Sequence, residues 1–474
     1  MPARSCVATV DQRAVAAGEA ALADGGSAAD AAIAANAVLA VTMAAWCGLG
    51  GDLLAVVHPG GATEPSVLWA AGRAGSGADL DALSAQGSRW MPYEHDIRCV
   101  PVPGCVDGWM AMHERFGRLP IARDLAPAID LAARLTDGPE GIDRLLTAIS
   151  DEGRAGFYEG EAGAGLLAIG DGEFVPADLQ ATQAEWIAPL AIDVWGHRLW
   201  TTPTPSQGYL TLAAAWIASG LPAPDDADDP LWPHLLIEAV RQAGFDRREV
   251  LHDGADGLAL LDPARLAPRR GAITPERATA VGGSYGAGDT IALTALDDDG
   301  LGISMCQSNA SLEGAKLVIP GTGVYLHNRG ASFSIDPRHP GAYGPGRRPP
   351  HTLAPALATD ADGRLVALAA SEGGDLQPMV LLQLLHRLLV GGANAAAALR
   401  APRWKLANPL SLWDFPTETS VVVESDASAD WMPGLAARGH PVRVADASDT
   451  QFGHAHVIRV APDGVVDAAC EPRS

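Results

Sequence analysis

The amino-acid sequence predicts a mixed α/β protein, on three observations. Alanine-rich stretches with helical character alternate with short runs of Val, Leu and Ile, as in proteins that pack helices against sheets. Glycine and proline are frequent, with 53 and 35 residues, so the chain turns often. Hydrophobic residues make up 48% of the 474 residues, which is ordinary for a globular protein with a large buried core.

Composition also excludes some partners. The chain has 33 basic and 57 acidic residues, a net charge of −24, which disfavours binding to a phosphate backbone. Its most apolar window, residues 31–46, is mostly alanine and short for a membrane span, so it predicts a buried helix. We therefore expect neither a nucleic acid nor a membrane as a partner.

The N-terminus lacks the basic and apolar regions of a secretion signal. The six cysteines form no CxxC pair, which favours free thiols in a reducing cytoplasm. His454 and His456 form an HxH pair, but no third metal ligand lies near it in the sequence, which favours a structural role. We expect a cytoplasmic protein without a bound metal.

The first 58 residues predict two helices, a turn and a strand. The first helix ends at Gly25-Gly26, a pair typical of a helix C-cap. The second begins at Ser27, with Asp30 completing a capping box. The glycine-rich segment CGLGGD at 47–52 then leads into an apolar strand. This segment fits neither the P-loop nor the dinucleotide fingerprint, so it does not indicate a nucleotide site.

The rest of the chain predicts further helices followed by a region rich in strands. A strand at 67–75 contains Arg73, and a turn with an amphipathic helix covers 99–120. Helical segments are expected over 121–262, interrupted by TTPTPSQG at 201–208. A glycine-rich, mobile segment is expected at 277–289, before a β-hairpin that turns at 297–300. Further strand-like runs lie at 317–326, 365–370, 419–423 and 455–460, with a helix at 378–391.

Five segments together resemble the γ-glutamyltransferase family of N-terminal-nucleophile hydrolases. They are GGSAADAAIAANAVLAVTMAAWCGLGGD at 25–52, VPGCVDGWMAMHERFGRLP at 102–120, PGTGVYLHNRGASFS at 320–334, RRPPHTLAPAL at 347–357 and SEGGDLQP at 371–378. The resemblance covers roughly residues 8–474 and is strongest to the shorter branch that includes oxamate amidohydrolase-type enzymes. It implies an α+β fold, the four-layer αββα sandwich of N-terminal-nucleophile hydrolases.

The resemblance places the family's self-processing threonine at Thr290. It implies cleavage between Asp289 and Thr290, which divides a precursor into a large subunit, 1–289, and a small subunit, 290–474, interdigitated in one domain. A hydroxyl nucleophile needs a base. The α-amine that cleavage would free on Thr290, with a pKa of about 7.7–8, can be that base, so no further residue is required. A threonine at the start of a strand also has a purely structural reading, because Thr favours strands.

Further site residues follow from the same resemblance. Gly373 and Gly374 match the backbone donors of an oxyanion hole, and the structural alternative is a tight turn after a strand. Ser308 matches a hydroxyl beside the nucleophile that takes part in processing and catalysis. Arg73 matches the arginine that binds the substrate carboxylate, and the alternative is an exposed arginine after a strand.

Four positions depart from the glutamyl-specific members. His351 and Thr352 stand where those members carry a Ser-Ser pair that holds substrate. Ser332 replaces the Asp that holds the substrate ammonium group, and Arg329 adds a positive charge nearby. These changes disfavour a free γ-glutamyl group and favour an anionic acyl group without an amine.

The resulting expectation is a self-processing hydrolase that cleaves the C–N bond of a small acidic amide through an acyl-threonine intermediate, without a cofactor. The alternatives are a γ-glutamyl hydrolase or transpeptidase, a specialised acyl hydrolase of a biosynthetic pathway, and a catalytically silent member that acts as a binding protein. The sequence leaves open whether copies of the protein associate further.

Overall fold

The structure is a computed structural model, and it describes residues 5–135, 138–281, 288–407, 419–447 and 449–473. The segment expected to be mobile, 277–289, includes residues 282–287, which lie outside the described residues.

The strands within the described ranges are, in chain order, β1 (Cys6–Ala8), β2 (Asp52–His58), β3 (Ser66–Ala70), β4 (Ala184–Ile187), β5 (Leu190–Val194), β6 (His197–Thr201), β7 (Asp289–Leu296), β8 (Gly302–Ala310), β9 (Val318–Ile319), β10 (Val324–Tyr325), β11 (Ala356–Thr359), β12 (Leu365–Ser371), β13 (Trp404–Ala407), β14 (Ser420–Glu424), β15 (Val442–Ala445), β16 (Ala455–Val460) and β17 (Val466–Ala469).

The α-helices of the same ranges are α1 (Gln12–Ala23), α2 (Ala28–Thr42), α3 (Leu80–Ala85), α4 (Cys105–Phe116), α5 (Ile121–Ala132), α6 (Ile142–Glu152), α7 (Arg154–Tyr158), α8 (Glu161–Gly170), α9 (Pro176–Gln180), α10 (Gly208–Ser219), α11 (Leu231–Gly244), α12 (Arg247–Val250), α13 (Gly257–Leu260), α14 (Pro263–Gly271), α15 (Gln377–Leu389), α16 (Ala395–Arg400) and α17 (Trp431–Ala437). None of the helices in this part of the chain is long and apolar enough to cross a membrane.

Two antiparallel sheets of six strands form the centre of the molecule. Their strand orders are β1-β7-β8-β2-β3-β4 and β17-β16-β12-β11-β6-β5. Each sheet combines strands that precede residue 290 with strands that follow it, and β7 and β8 lie inside the first sheet. The two parts of the chain on either side of Thr290 therefore share one hydrogen-bonded framework.

The strand β2 shows why the sheets stack with a helical layer outside each of them. All seven of its residues are buried, and successive side chains point to opposite faces. Leu53, Ala55 and Val57 pack into the core beneath the helices, whereas Leu54 and Val56 pack between the two sheets. Because both faces of β2 are apolar, both must be covered.

The helical layers complete a four-layer αββα sandwich, as expected. Helices α1, α2, α4 and α5 cover the first sheet, and the core there includes nearly every side chain of α2. The capping box of α2 forms as expected, with Ser27 and Asp30 closing its first turn. Helices α10, α11 and α15 cover the second sheet.

The sequence interpretation was wrong over part of 121–262, because three strands lie at 184–201 where helices were expected. Strand β4 is only half-buried, and β5 lies at the edge of the second sheet. Edge strands alternate weakly between apolar and polar residues, so hydrophobic periodicity did not reveal them.

The apolar layer between the sheets predicts a large stability effect at Leu368, which is 0% exposed there. We expect Leu368→Ala to lower the free energy of unfolding by about 2–5 kcal/mol, from the lost apolar burial and the remaining cavity. Urea unfolding measures this, and Leu258→Ala, at a side chain that is 69% exposed, is the matched control. Equal losses in the two variants would contradict the assignment of this layer as core.

Candidate active site

Thr290 is the second residue of β7. Its side chain is buried, with only 1% of the residue exposed. The Oγ1 atom lies 3.3 Å from Oγ of Ser308 on the neighbouring strand and 3.5 Å from Nε2 of Gln377 at the start of α15. The hydroxyl is therefore held among polar groups in a site closed to bulk solvent.

Ser308 connects that hydroxyl to the peptide bond before it. The Ser308 hydroxyl donates to the carbonyl oxygen of Asp289 over 2.5 Å. The pairing of β7 with β8 changes register between Asp289 and Ile291, which brings Ser308 opposite this carbonyl. A donor on this oxygen is placed to stabilise negative charge if the carbonyl carbon is attacked.

Arg329 joins Ser308 to Thr352. Its Nη2 donates to Oγ of Ser308 over 3.3 Å, and its Nη1 donates to Oγ1 of Thr352 over 2.8 Å. The guanidinium is only 4% exposed, and its Nε lies 3.4 Å from a carboxylate oxygen of Asp52. The structure thus brings together Thr290, Ser308, Arg329 and Thr352, and the positive charge of Arg329 is paired with Asp52.

Asp52 is the residue of this site that the sequence interpretation missed. Its Oδ2 also lies 2.9 Å from Nε2 of His351 and 3.1 Å from Nδ1 of His327. In the first sheet it is the direct register partner of Ser308. The signal in the sequence was a carboxylate immediately after a glycine turn and at the head of a fully apolar strand.

The glycine turn explains how Asp52 reaches this position. A Cβ on Gly50 would lie 2.2 Å from the carbonyl oxygen of Tyr325, and a Cβ on Gly51 would lie 2.4 Å from that of Ser308. Neither contact is compatible with a side chain, so only glycine lets the turn pack against this backbone. The glycines of CGLGGD therefore allow the backbone to pack closely, and this packing places the carboxylate of Asp52 in the site.

The charge states of this cluster follow from its burial and contacts. Burial disfavours the charged form of Asp52, but His327 and His351 outweigh this and hold the pKa of the carboxyl well below its usual range. Burial, with the nearby charge of Arg329, lowers the pKa of His351 to about 4. The main-chain N–H of Leu353 points to Nδ1 of His351 over 3.3 Å, so neutral His351 donates from Nε2 to Asp52.

Gly373 and Gly374 lie beside the same segment of β7. Both have positive φ angles, +112° and +59°, which glycine adopts without strain. A Cβ on Gly288 would lie 3.1 Å from Cα of Gly374, so the glycine pair packs against the residues that precede Thr290.

A second group that the sequence interpretation missed supports these glycines. Gln207, in the TTPTPSQG segment, donates from Nε2 to the carbonyl oxygens of Gly374 and Thr352, each over 2.8 Å. Arg247 donates to Oε1 of Gln207 over 2.9 Å and pairs with Asp375 over 2.7 Å. Buried polar contacts therefore hold the two halves of the site in register.

Arg73 lies outside this network of contacts. Its side chain is 43% exposed and has two long ion pairs, 3.9 Å to Glu185 and 3.8 Å to Asp253. Its Nη1 also donates to the carbonyl oxygen of Gly346 over 3.1 Å. Ion pairs of this length restrain a guanidinium only weakly.

A cavity of about 260 Å³ adjoins the site on the side of Ser332. The Ser332 hydroxyl donates to backbone oxygens of Arg329 and Pro350, each over 2.7 Å, which connects the cavity wall to the buried cluster. Arg89, Arg247 and Arg248 contribute positive charge to its lining.

The HxH pair has no metal-like arrangement within the described ranges. His454 lies 2.6 Å from Oε1 of Glu372, and His456 is buried with neither ring nitrogen hydrogen-bonded. In this part of the chain, the one group of three side chains with metal-ligand spacing consists of Asp30, His113 and Asp124, away from Thr290.

Comparisons with known proteins agree with this fold. The family model for γ-glutamyltranspeptidase matches residues 14–134 and 142–474. A curated relative, the oxamate amidohydrolase proenzyme of Klebsiella pneumoniae, is 33% identical, with 96% of this chain and 94% of the relative covered. The glutathione hydrolase-like YwrD proenzyme of Bacillus subtilis is 28% identical, with 95% and 93% covered.

Among solved structures, cephalosporin acylase from Bacillus halodurans superposes with a TM-score of 0.88 and 29% identity, covering 99% of this chain and 94% of the acylase. Fold and site together define an N-terminal-nucleophile hydrolase that acts on amide bonds. The chain belongs to the γ-glutamyltransferase family, and it is similar to the shorter branch that includes oxamate amidohydrolase.

The low pKa of His351 predicts a measurable pH dependence of stability. Unfolded histidine binds a proton near pH 6.5, whereas folded His351 does so near pH 4, so the unfolded chain takes up this proton first and stability falls between these values as the pH falls. We expect His351→Gln, which can still donate to Asp52, to flatten the slope by up to about 1.4 kcal/mol per pH unit between about pH 4.5 and 6.

Urea unfolding across that pH range measures the slope. The other buried histidines titrate in both proteins, so the difference between them isolates His351. His197→Gln on β6 is the matched control, and an unchanged slope in His351→Gln would show that His351 is already charged in the folded protein.

Proposed function

We propose that the precursor cleaves itself between Asp289 and Thr290 and that Thr290 is then the catalytic nucleophile. The large subunit is residues 1–289 and the small subunit is residues 290–474. The observation that carries this proposal is the position of Ser308, whose Oγ lies 3.3 Å from Oγ1 of Thr290 and 2.5 Å from the carbonyl oxygen of Asp289.

In processing, the Thr290 hydroxyl adds to the carbonyl carbon of Asp289, and the resulting oxyanion accepts the hydrogen bond from Ser308. The C–N bond breaks and the nitrogen takes the hydroxyl proton, which leaves an ester between Asp289 and Thr290. Water then hydrolyses the ester, which restores the hydroxyl and gives Asp289 a free carboxylate. Thr290 acquires a free α-amine that serves as its base.

In turnover, the amine accepts the hydroxyl proton as Oγ1 attacks the amide carbon of the substrate. Gly373 and Gly374 offer backbone N–H groups to the oxyanion, and Arg329 and Thr352 hold Ser308 in place beside it. The leaving amine takes a proton from the α-ammonium group, and water releases the acyl group from the threonine ester. Asp52 and neutral His351 keep Arg329 in position.

The proposed substrate is a small amide with an anionic acyl group. Ser332 supplies no carboxylate for a substrate ammonium group, which disfavours a γ-glutamyl substrate. Arg73 offers an exposed guanidinium on weak ion pairs, and a carboxylate forms two parallel hydrogen bonds with such a group. The similarity to the Klebsiella oxamate amidohydrolase supports oxamate as the first substrate to test.

One observation favours a second candidate, a hydrolase for a larger anionic acyl amide. The cavity beside Ser332 has a volume of about 260 Å³ and three arginines in its lining, which is more space than oxamate fills. The overall similarity to the Bacillus cephalosporin acylase also supports a larger substrate. A panel that contains oxamate, longer dicarboxylic mono-amides and a γ-glutamyl anilide distinguishes these candidates.

We also propose a cytoplasmic location. All six cysteines are free thiols, and four of them are buried. Thiols persist in this form in a reducing compartment.

The proposed nucleophile predicts the outcome of removing one hydroxyl. We expect Thr290→Val, which keeps the branched shape, to remain a single chain of 474 residues and to lose at least 1,000-fold in turnover, because neither ester can form. Mass spectrometry of the purified protein and an ammonia-release assay measure the two effects.

Thr294→Val is the matched control on the same strand, because its hydroxyl is buried and has no hydrogen-bond partner among the residues that the structure describes. We expect this control to process into chains of 289 and 185 residues. Wild-type protein that releases ammonia while residues 289 and 290 remain joined would contradict the proposed nucleophile. Wild-type protein that neither processes nor turns over any amide of the panel would instead indicate a silent binding protein.

The proposed carboxylate contact predicts an effect on substrate binding. We expect Arg73→Ala to raise KM for oxamate roughly 5- to 150-fold, the equivalent of about 1–3 kcal/mol of charge-assisted hydrogen bonding. KM for an uncharged amide of similar size should change little. Arg198→Ala, at an exposed arginine on β6, is the control, and an unchanged KM for oxamate in Arg73→Ala would remove Arg73 from the site.

A further inference from the structure

Three side chains meet where α2, α4 and α5 approach one another in the helical layer outside the first sheet. Asp30 lies in the first turn of α2, His113 in the last turn of α4 and Asp124 in the first turn of α5. One ligand atom from each lies within 4.8 Å of the other two. None of these residues takes part in the contacts around Thr290.

Asp30 accepts several hydrogen bonds in this group. Its carboxylate accepts from the main-chain N–H and hydroxyl of Ser27 over 2.6 and 3.0 Å, and from the main-chain N–H of Arg118 over 2.9 Å. The group also sits at the N-terminus of α2, where the helix dipole favours a negative charge.

Asp124 differs from the other two side chains in its lack of hydrogen-bond partners within the described ranges. It is 0% exposed, and neither oxygen of its carboxylate has a hydrogen-bond partner among the described residues. A buried carboxylate without a donor is costly, and here a second carboxylate faces it. Such a pair needs positive charge between its members, in the form of a proton or a metal ion.

His113 supplies a third ligand of a different type. Its Nε2 lies 2.7 Å from the carbonyl oxygen of Leu119, which fixes the plane of the ring. A backbone carbonyl commonly orients metal-binding histidines in this way. Because the three ligand atoms lie within 4.8 Å of one another, a point exists that is at most about 2.8 Å from each of them. Shifts of the side chains by less than 1 Å would bring all three atoms to about 2.0–2.2 Å from an ion at that point, which is the usual length of bonds to Zn²⁺.

We propose that Asp30, His113 and Asp124 bind one divalent metal ion, of the Zn²⁺ or Mn²⁺ class. Two carboxylates and one imidazole suit such ions, and a charge of +2 neutralises both carboxylates. The ion ties α2 to α4 and α5 behind the first sheet. Its role is structural, because the site shares no residue with the Thr290 cluster.

The test uses the full chain after removal of metal with a chelator. We expect about one equivalent of Zn²⁺ or Mn²⁺ to bind per chain, by isothermal titration and by elemental analysis after desalting. We also expect the melting temperature to rise by several degrees on metal addition, because an ion that binds only the folded chain stabilises it.

Asp124→Asn tests the assignment while conserving shape, since the amide can donate to Asp30 and keep the helices together. We expect it to weaken binding of the ion at least tenfold and to abolish the rise in melting temperature. Asp130→Asn, at an exposed position on the same helix, is the matched control and should bind as the wild type does.

Two results overturn the proposal. One is equal binding in wild type and Asp124→Asn, which places the ion elsewhere. The other is no binding of Zn²⁺ or Mn²⁺ by the wild type, which would leave a proton shared between the two carboxylates in place of the ion.

Discussion

The buried negative charge of Asp52 is the interaction on which the rest of the site depends. A carboxylate closed off from water is stable only if donors surround it, and here His327, His351 and Arg329 do so. These donors come from two segments of the chain, 320–334 and 347–357. Their common attachment to one carboxylate determines where Arg329 lies, and Arg329 in turn holds Ser308 and Thr352.

The structure gives Arg329 a different role from the one inferred from the sequence. The sequence indicated a positive charge near the substrate, but the guanidinium is buried and pairs with Asp52. The charge is therefore balanced inside the protein, and its effect at the site is to orient hydroxyl groups. For the anionic substrate that we propose, a more exposed group such as Arg73, which is 43% exposed, would then have to supply the attraction.

The sandwich also accounts for how a cut at residue 290 can leave the molecule whole. Both six-stranded sheets contain strands from each side of this position, and β7 is paired along both edges. Hydrogen bonds and apolar burial hold the two parts together after the peptide bond is broken. The cut would make Asp289 a new C-terminus and Thr290 a new N-terminus, and the rest of β7 would keep its covalent state.

Local patterns in the sequence determined the capping of α2, the hairpin of β7 and β8 and the helix α15, because each depends on neighbouring residues alone. The order of the family motifs determined the fold class, and it led to the proposal that Thr290 is the nucleophile. The tertiary structure alone decided that Asp52 and Gln207 join the site and that β4–β6 are strands. Apart from the local hairpin of β5 with β6, those features depend on contacts between residues that are more than 100 positions apart, such as Asp52 with Ser308 and Gln207 with Thr352. Contacts between residues so far apart in the sequence produce no periodic pattern in it, and only the packing of the two sheets forms them.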